Sequence, residues 1–259
     1  MAARGSAGLL LCVGLLFAMP ARAATPADRG ECAASADRPD FGSAACSRII
    51  DDAGASVAER VKAFKNRGRG AFKAREYDRA IADYGEAIKL SPNDASAFAH
   101  RCEAYESKED HDAAIADCTK AITIDPKYGW AWNNRGVAYY GLHEYDAALA
   151  DHAAAIRLDS RDVWAYARRG MAWTEKGEFD QAVADITEAV TIDPKYAFGF
   201  GQRGQALFKK RLIAKKDGWE PAIADYSEAI KLDPNLLWLY SSRGVAYSNN
   251  RQYALAVPD

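Results

Sequence analysis

Residues 129–162, GWAWNNRGVAYYGLHEYDAALADHAAAIRLDSRD, and residues 163–196, VWAYARRGMAWTEKGEFDQAVADITEAVTIDPKY, align without a gap. Both carry an aromatic at position 4 (Trp132, Tyr166), Arg-Gly at 7 and 8 (Arg135-Gly136, Arg169-Gly170) and an aromatic at 11 (Tyr139, Trp173). Both also carry alanine at 20 and 27 and aspartate at 23. The register runs outward in both directions. Position 7 is arginine at Arg67, Arg101, Arg203 and Arg243 as well, and position 23 is aspartate at Asp83, Asp117, Asp225 and Asp259. The sixth copy arrives 40 residues after the fifth rather than 34. A period in this range is the mark of a stacked array, in which each unit buries its apolar face against its neighbours.

Positions 4, 8 and 11 fall on one face of a helix, helix A, and positions 20, 24 and 27 on one face of a second, helix B. Small residues at 8, 20 and 27 let the two helices approach, and the large residues at 4 and 11 fill the space between units. Pro92, Pro126, Pro194 and Pro234 stand where helix B must stop, since proline cannot continue a helix. The departures from the pattern are Cys102 at position 8 of the second copy, Ser160 in place of proline in the third, and His152 at position 24.

The period and the aromatic, Gly, Ala and Pro columns resemble the tetratricopeptide repeat family, from Val61 to about Ala256. The resemblance implies an all-α, right-handed superhelical solenoid of antiparallel helix pairs. Five units are expected at 61–94, 95–128, 129–162, 163–196 and 197–236, with a partial sixth at 237–259. It also implies that positions 2, 5, 6 and 9 of helix A line a concave groove. That groove would hold Trp130, Asn133, Asn134, Trp164, Arg168, Phe198, Gln202, Gln205 and Trp238, with Lys62, Asn66, His100 and Glu103 at its N-terminal end. Some members of the family clamp a C-terminal carboxylate with Lys and Asn. Here Lys62 or Lys65 with Asn66 matches only in part, and no clamp is assigned.

Residues 1–23 read as a secretory leader. Arg4 supplies a positive start, Gly8 to Met19 an apolar stretch too short to span a bilayer, and Ala21-Arg22-Ala23 a cleavage site. Without Arg4 and Arg22 the chain has 32 basic and 36 acidic side chains. That balance argues against general nucleic-acid binding, which needs clustered cations. No later stretch predicts stable membrane insertion. Residues 24–60 are expected to form an irregular segment (Thr25 to Arg38) followed by a helical cap (Asp40 to Asp52) that echoes a degenerate helix B.

Four cysteines follow the leader, and an even number in an exported chain favours disulfides. A bond between Cys32 and Cys46 closes a loop of about 15 residues, which contributes on the order of 3 kcal/mol. Cys102 and Cys118 occupy positions 8 and 24 of one unit, facing each other across the helix pair, so a second bond is expected.

Positions 7 and 23 lie at similar heights on antiparallel helices and predict an Arg–Asp ladder. The competing reading is an anion-binding stripe. The fifth unit carries six extra residues within Lys209 to Gly218, read as a longer helix A ending near Asp217-Gly218. Its five cations form either an anionic docking patch or a solvated helix end, where Lys and Arg suit the macrodipole. The histidines His100, His111, His143 and His152 show no metal spacing, and no catalytic residue, metal or cofactor is expected. His111 and His143 belong near the turns between helices A and B, and His152 reads as a core histidine.

The expected function is a non-enzymatic scaffold of the cell envelope, periplasmic or secreted, that holds a segment of another protein in the groove. The alternative is a carbohydrate-binding accessory in envelope polysaccharide handling, through an aromatic ladder.

Overall fold

The computed structural model describes residues 23–34 and 39–256. Its described residues form fourteen helices and no strand. The pairs are α1 (Pro26–Ala34) with α2 (Pro39–Asp51), α3 (Val57–Lys73) with α4 (Tyr77–Leu90), α5 (Ala95–Glu106) with α6 (His111–Ile124) and α7 (Gly129–Gly141) with α8 (Tyr145–Leu158). Next come α9 (Val163–Glu175) with α10 (Phe179–Ile192), α11 (Ala197–Ala214) with α12 (Glu220–Leu232), and α13 (Trp238–Asn249) with the short α14 (Tyr253–Ala256). Each helix packs on its successor. Each of α1, α3, α5, α7, α9 and α11 also touches the next odd-numbered helix, up to α13, and no even-numbered helix touches another even-numbered one. The array therefore curves with helices A inside and helices B outside, a solenoid of antiparallel helix pairs as expected.

Within a pair, position 24 lies over position 8. A Cβ added to Gly136 would stand 2.7 Å from Cε1 of His152, and one added to Gly170 would stand 2.4 Å from Cγ1 of Ile186. Tyr84 and Tyr226 cover Gly68 and Gly204 in the same way. In the second unit Cys102 and Cys118 replace this fit with a disulfide, at a Cα separation of 5.5 Å.

The expected ladder is present five times. Arg67, Arg101, Arg135, Arg169 and Arg203 each hold Asp83, Asp117, Asp151, Asp185 and Asp225 through Nε and Nη2, at 2.6–2.9 Å. The carboxylate hydrogen bonds raise the pKa of all five guanidiniums above the ordinary value. Each of these arginines also lies over the aromatic at position 4, from Phe64 to Phe200, and Arg243 lies over Tyr240 in the same way. These forks are occupied within the fold, so the anion-stripe reading is set aside. The sixth aspartate, Asp259, lies outside the described residues, as do residues 1–22 of the leader.

The remaining guanidinium nitrogen looks back to the preceding unit. Nη1 of Arg135 donates to Thr119 Oγ1 at 3.0 Å, and Nη1 of Arg67 donates to Ser47 Oγ at 2.8 Å. Ser47 thus plays the part of position 25, and α2 is the degenerate helix B read from the sequence. Its neighbour Cys46 then falls at position 24 and bonds Cys32, with a Cα separation of 4.7 Å. Both disulfides thus use a cysteine at position 24 of helix B, with partners 14 and 16 residues upstream.

Three boundaries differ from expectation. The stretch from Thr25 is not irregular through Ala34. It forms α1, capped by Thr25 and Asp28 and held to α2 by the disulfide and the Arg48–Asp28 ion pair. Residues 35–38 lie outside the described residues. Helix α3 starts one turn before Val61, because Ser56 and Glu59 form a capping box. The longer α11 ends at Ala214 rather than near Asp217-Gly218, since Lys215 already turns left-handed (φ 50°). Ser160 in place of proline changes little. Asp159 Oδ1 accepts from the Arg161 amide at 2.9 Å, just as Asp125 and Asp193 serve the units that keep proline.

Candidate functional site

Helices α5, α7 and α9 present their inner faces side by side around a cavity of about 400 Å³. It brings together Glu103, Trp130, Asn133, Asn134, Trp164 and Arg168 with Phe72, Glu106, Ser107 and Val137. Trp130 is 40% exposed and Trp164 53%. Both rings are open because position 2 sits on the first turn of helix A, facing inward ahead of the packed position 4.

The cavity's polar groups are unevenly satisfied. Glu106 lies 2.8 Å from His111 Nδ1, and Glu103 lies 3.7 Å from His100 Nδ1. Asn134 Nδ2 is buried without a hydrogen-bond partner. An unpaired buried donor costs free energy until something accepts from it. Arg168 is half-buried, with no ion pair among the described residues.

Asn133 faces both the cavity and the core. It lines the cavity, but it is only 5% exposed and its Oδ1 accepts from His152 Nδ1 at 2.8 Å. The carbonyl end is spent on the core, so only the amino end remains for the groove. His152 is itself fully buried, with Nε2 unpartnered. Burial first, then the charges of Arg168 and Arg169, lower its pKa to about 3, so the ring is neutral.

Toward the C-terminal end the groove aromatics lean on one another. Trp164 meets Tyr196 at 5.4 Å, Tyr196 meets Phe198 at 6.1 Å, and Phe198 meets Trp238 at 6.5 Å, all steeply tilted. Burial pushes the Tyr196 hydroxyl up to about 12, and it has no hydrogen-bond partner. Gln202 and Gln205 are half-buried on the same helix face.

At the N-terminal end, Lys62 and Asn66 line a separate hollow of about 550 Å³ with Val57, Lys65 and Leu90. Lys65 bonds both Asp94 oxygens, at 2.9 and 3.2 Å, which removes it as a free cation. His100 stacks on Tyr84, with centroids 5.7 Å apart. The predicted groove residues therefore gather around the central cavity, a C-terminal aromatic run that Trp164 joins to it, and an N-terminal hollow.

Sequence reasoning missed Val137, Phe72, Glu106 and Tyr196. Val137 is at position 9 and follows from the spacing rule itself. Phe72 and Glu106 sit at position 12, one turn further along the same stripe. Tyr196 comes from the loop before α11, which a helix-face rule does not reach.

Among the described residues no group of His, Cys, Asp and Glu is placed to hold a metal ion, and no helix is long and apolar enough to cross a membrane. What the central cavity offers is two open indole walls, unsatisfied donors and carboxylates. Such a set suits binding of a polar, extended chain.

A comparison with curated proteins finds no match. Among solved structures, a tetratricopeptide repeat protein from Parabacteroides merdae ATCC 43184 is 15% identical, with TM-score 0.69 and coverage of 90% of each chain. TTC0263, a thermophilic TPR protein of Thermus thermophilus, is 19% identical, with TM-score 0.60, covering 77% of this chain and all of that one. YrrB, described as a TPR protein with an unusual peptide-binding site, is 21% identical, with TM-score 0.53, covering 71% of this chain and 95% of that one. These likenesses speak to the fold. Tetratricopeptide repeat models match residues 65–128, 118–150 and 165–196, and a TPR repeat model matches 215–250. Together they span more than half of the sequence, and the chain belongs to the tetratricopeptide repeat family.

Proposed function

We propose that this protein is a non-enzymatic scaffold of the cell envelope, exported through its leader, that binds an extended segment of a partner protein in the central groove. The carrying observation is the α5–α7–α9 cavity, where exposed Trp130 and Trp164 flank the unsatisfied Asn134 donor and the unpaired Arg168. A peptide laid along the groove supplies carbonyl groups for those donors and side chains for the indole walls. The peptide-binding description of YrrB supports this reading by analogy.

The test is capture from an envelope extract by the wild type and by Trp164→Ala and Arg168→Ala, with circular dichroism to verify the fold. A protein held by the wild type and released by both variants, then reproduced with its isolated segment, supports the proposal. Equal recovery by all three chains refutes it. The exposed faces of Trp130 and Trp164 favour a second reading, glycan binding. Retention of polysaccharide without protein would select that one. Intact mass of the exported product tests the leader, with cleavage expected before Ala24.

A further inference from the structure

The fifth unit differs from its neighbours at one edge of the solenoid. Helix α11 has 18 residues, against 12 or 13 in α5, α7, α9 and α13. Five extra residues at 1.5 Å each carry its C-terminal end about 8 Å beyond the other A–B turns. Residues 212–217 are all exposed, with Leu212 at 52% and Ile213 at 70%. Large aliphatics are seldom left this open side by side without a use.

The base of the projection is fixed. Trp219, 6% exposed, packs its ring 4.9 Å from that of Phe208. Lys209 and Lys210 are tied to Glu175 and Asp180 of the previous unit. Elsewhere along this edge the cations are similarly neutralised, as Lys108 is by Asp78 and Lys176 by Asp146. Arg211, Lys215 and Lys216 have no ion pair among the described residues. The tip thus carries an excess of positive charge around two bare aliphatic side chains, with Asp217 on it and Glu220 near Arg211 at its base.

From this we infer that the α11 tip docks the protein onto the surface of an anionic lipid bilayer. Leu212 and Ile213 enter the acyl boundary, and Arg211, Lys215 and Lys216 meet the headgroup phosphates. A projecting, rigidly based point with exposed aliphatic and cationic side chains fits a deformable, negatively charged interface. The attachment is peripheral and independent of the groove, which leaves the concave face free while the chain is on the membrane.

Co-sedimentation of the full chain with phosphatidylglycerol-rich vesicles, and with pure phosphatidylcholine vesicles, tests this. Association is expected with the anionic vesicles only, weakened by salt. Either L212S/I213S or K215E/K216E should lower it by at least about tenfold. These positions are exposed, and an unchanged thermal melt will verify that the variants fold. No association, equal association with both vesicle types, or association unaffected by both variants overturns the inference. Retention on heparin without vesicle binding also overturns it and assigns the tip to a soluble polyanion.

Discussion

Gly136 and His152 touch so closely that no side chain larger than hydrogen fits at 136: a Cβ there would stand 2.7 Å from Cε1, 2.9 Å from Nε2 and 3.0 Å from Nδ1 of the imidazole. The ring is walled in by α7 and cannot retreat without breaking its bond to Asn133. Gly136→Ala should therefore destabilise the protein by about 1–3 kcal/mol through overpacking. Gly129→Ala, on the same helix with its nearest contact at 3.9 Å, should be neutral or stabilising by up to about 1 kcal/mol. Chemical denaturation of the two variants side by side distinguishes steric conflict from a general intolerance of alanine in α7.

His152 gives stability a pH dependence of known sign. Its folded pKa of about 3 lies below the ordinary value of about 6.5, so the unfolded chain binds the extra proton first. The contribution is complete above pH ~6.5 and is lost as pH falls toward 3, by up to about 1.4 kcal/mol per pH unit. His152→Leu should remove that component. Thermal melts of both proteins between neutral and acidic pH measure it, and parallel curves would refute the assignment.

The Cys102–Cys118 disulfide stands where other units place glycine beneath a large side chain. Breaking it with Cys118→Ala should cost on the order of 3 kcal/mol. The pair C102G/C118I copies Gly170 and Ile186 of the fourth unit and should recover much of that loss by packing alone. Denaturation under oxidising and reducing conditions checks both statements; the Cys32–Cys46 bond remains in every variant, so the double variant is expected to lose less stability to the reductant than the wild type does.

Arg135 is the hub of one rung. It holds Asp151 at 2.7 and 2.9 Å, reaches Thr119 and lies 5.0 Å from the Trp132 ring centroid. Asp151 is only 4% exposed, so Arg135→Met strands a buried carboxylate, at a cost of about 3–5 kcal/mol. Arg135→Lys should recover only part, because a single ammonium cannot reproduce the fork. Urea titration of the two variants would show the ordering.

The repeat, its helix faces and the Arg–Asp rungs were legible because each is written five or six times in one register. Features that occur once were not. Helix α1 announces only its start, in Thr25, Pro26 and Asp28; with Gly30 in its middle it is short, and contacts to α2 that lie 14 and 20 residues away hold it. Asn133 occupies a groove position, yet which end of its amide faces the groove is set by His152 across 19 residues. The left-handed turn at Lys215 ends α11 before the Asp-Gly pair that advertises a turn. The bare pair Leu212 and Ile213 could be recognised only once neighbouring helices were seen not to cover it.

Both disulfides close a hairpin on itself, and neither crosses from one hairpin to the next. Oxidation therefore hardens individual units without fixing the pitch at which they stack. The opening of the inner wall is governed by contacts between successive A helices, and these are all non-covalent. Closing both bonds can thus toughen the molecule and still leave the spacing of its A helices free to widen or narrow.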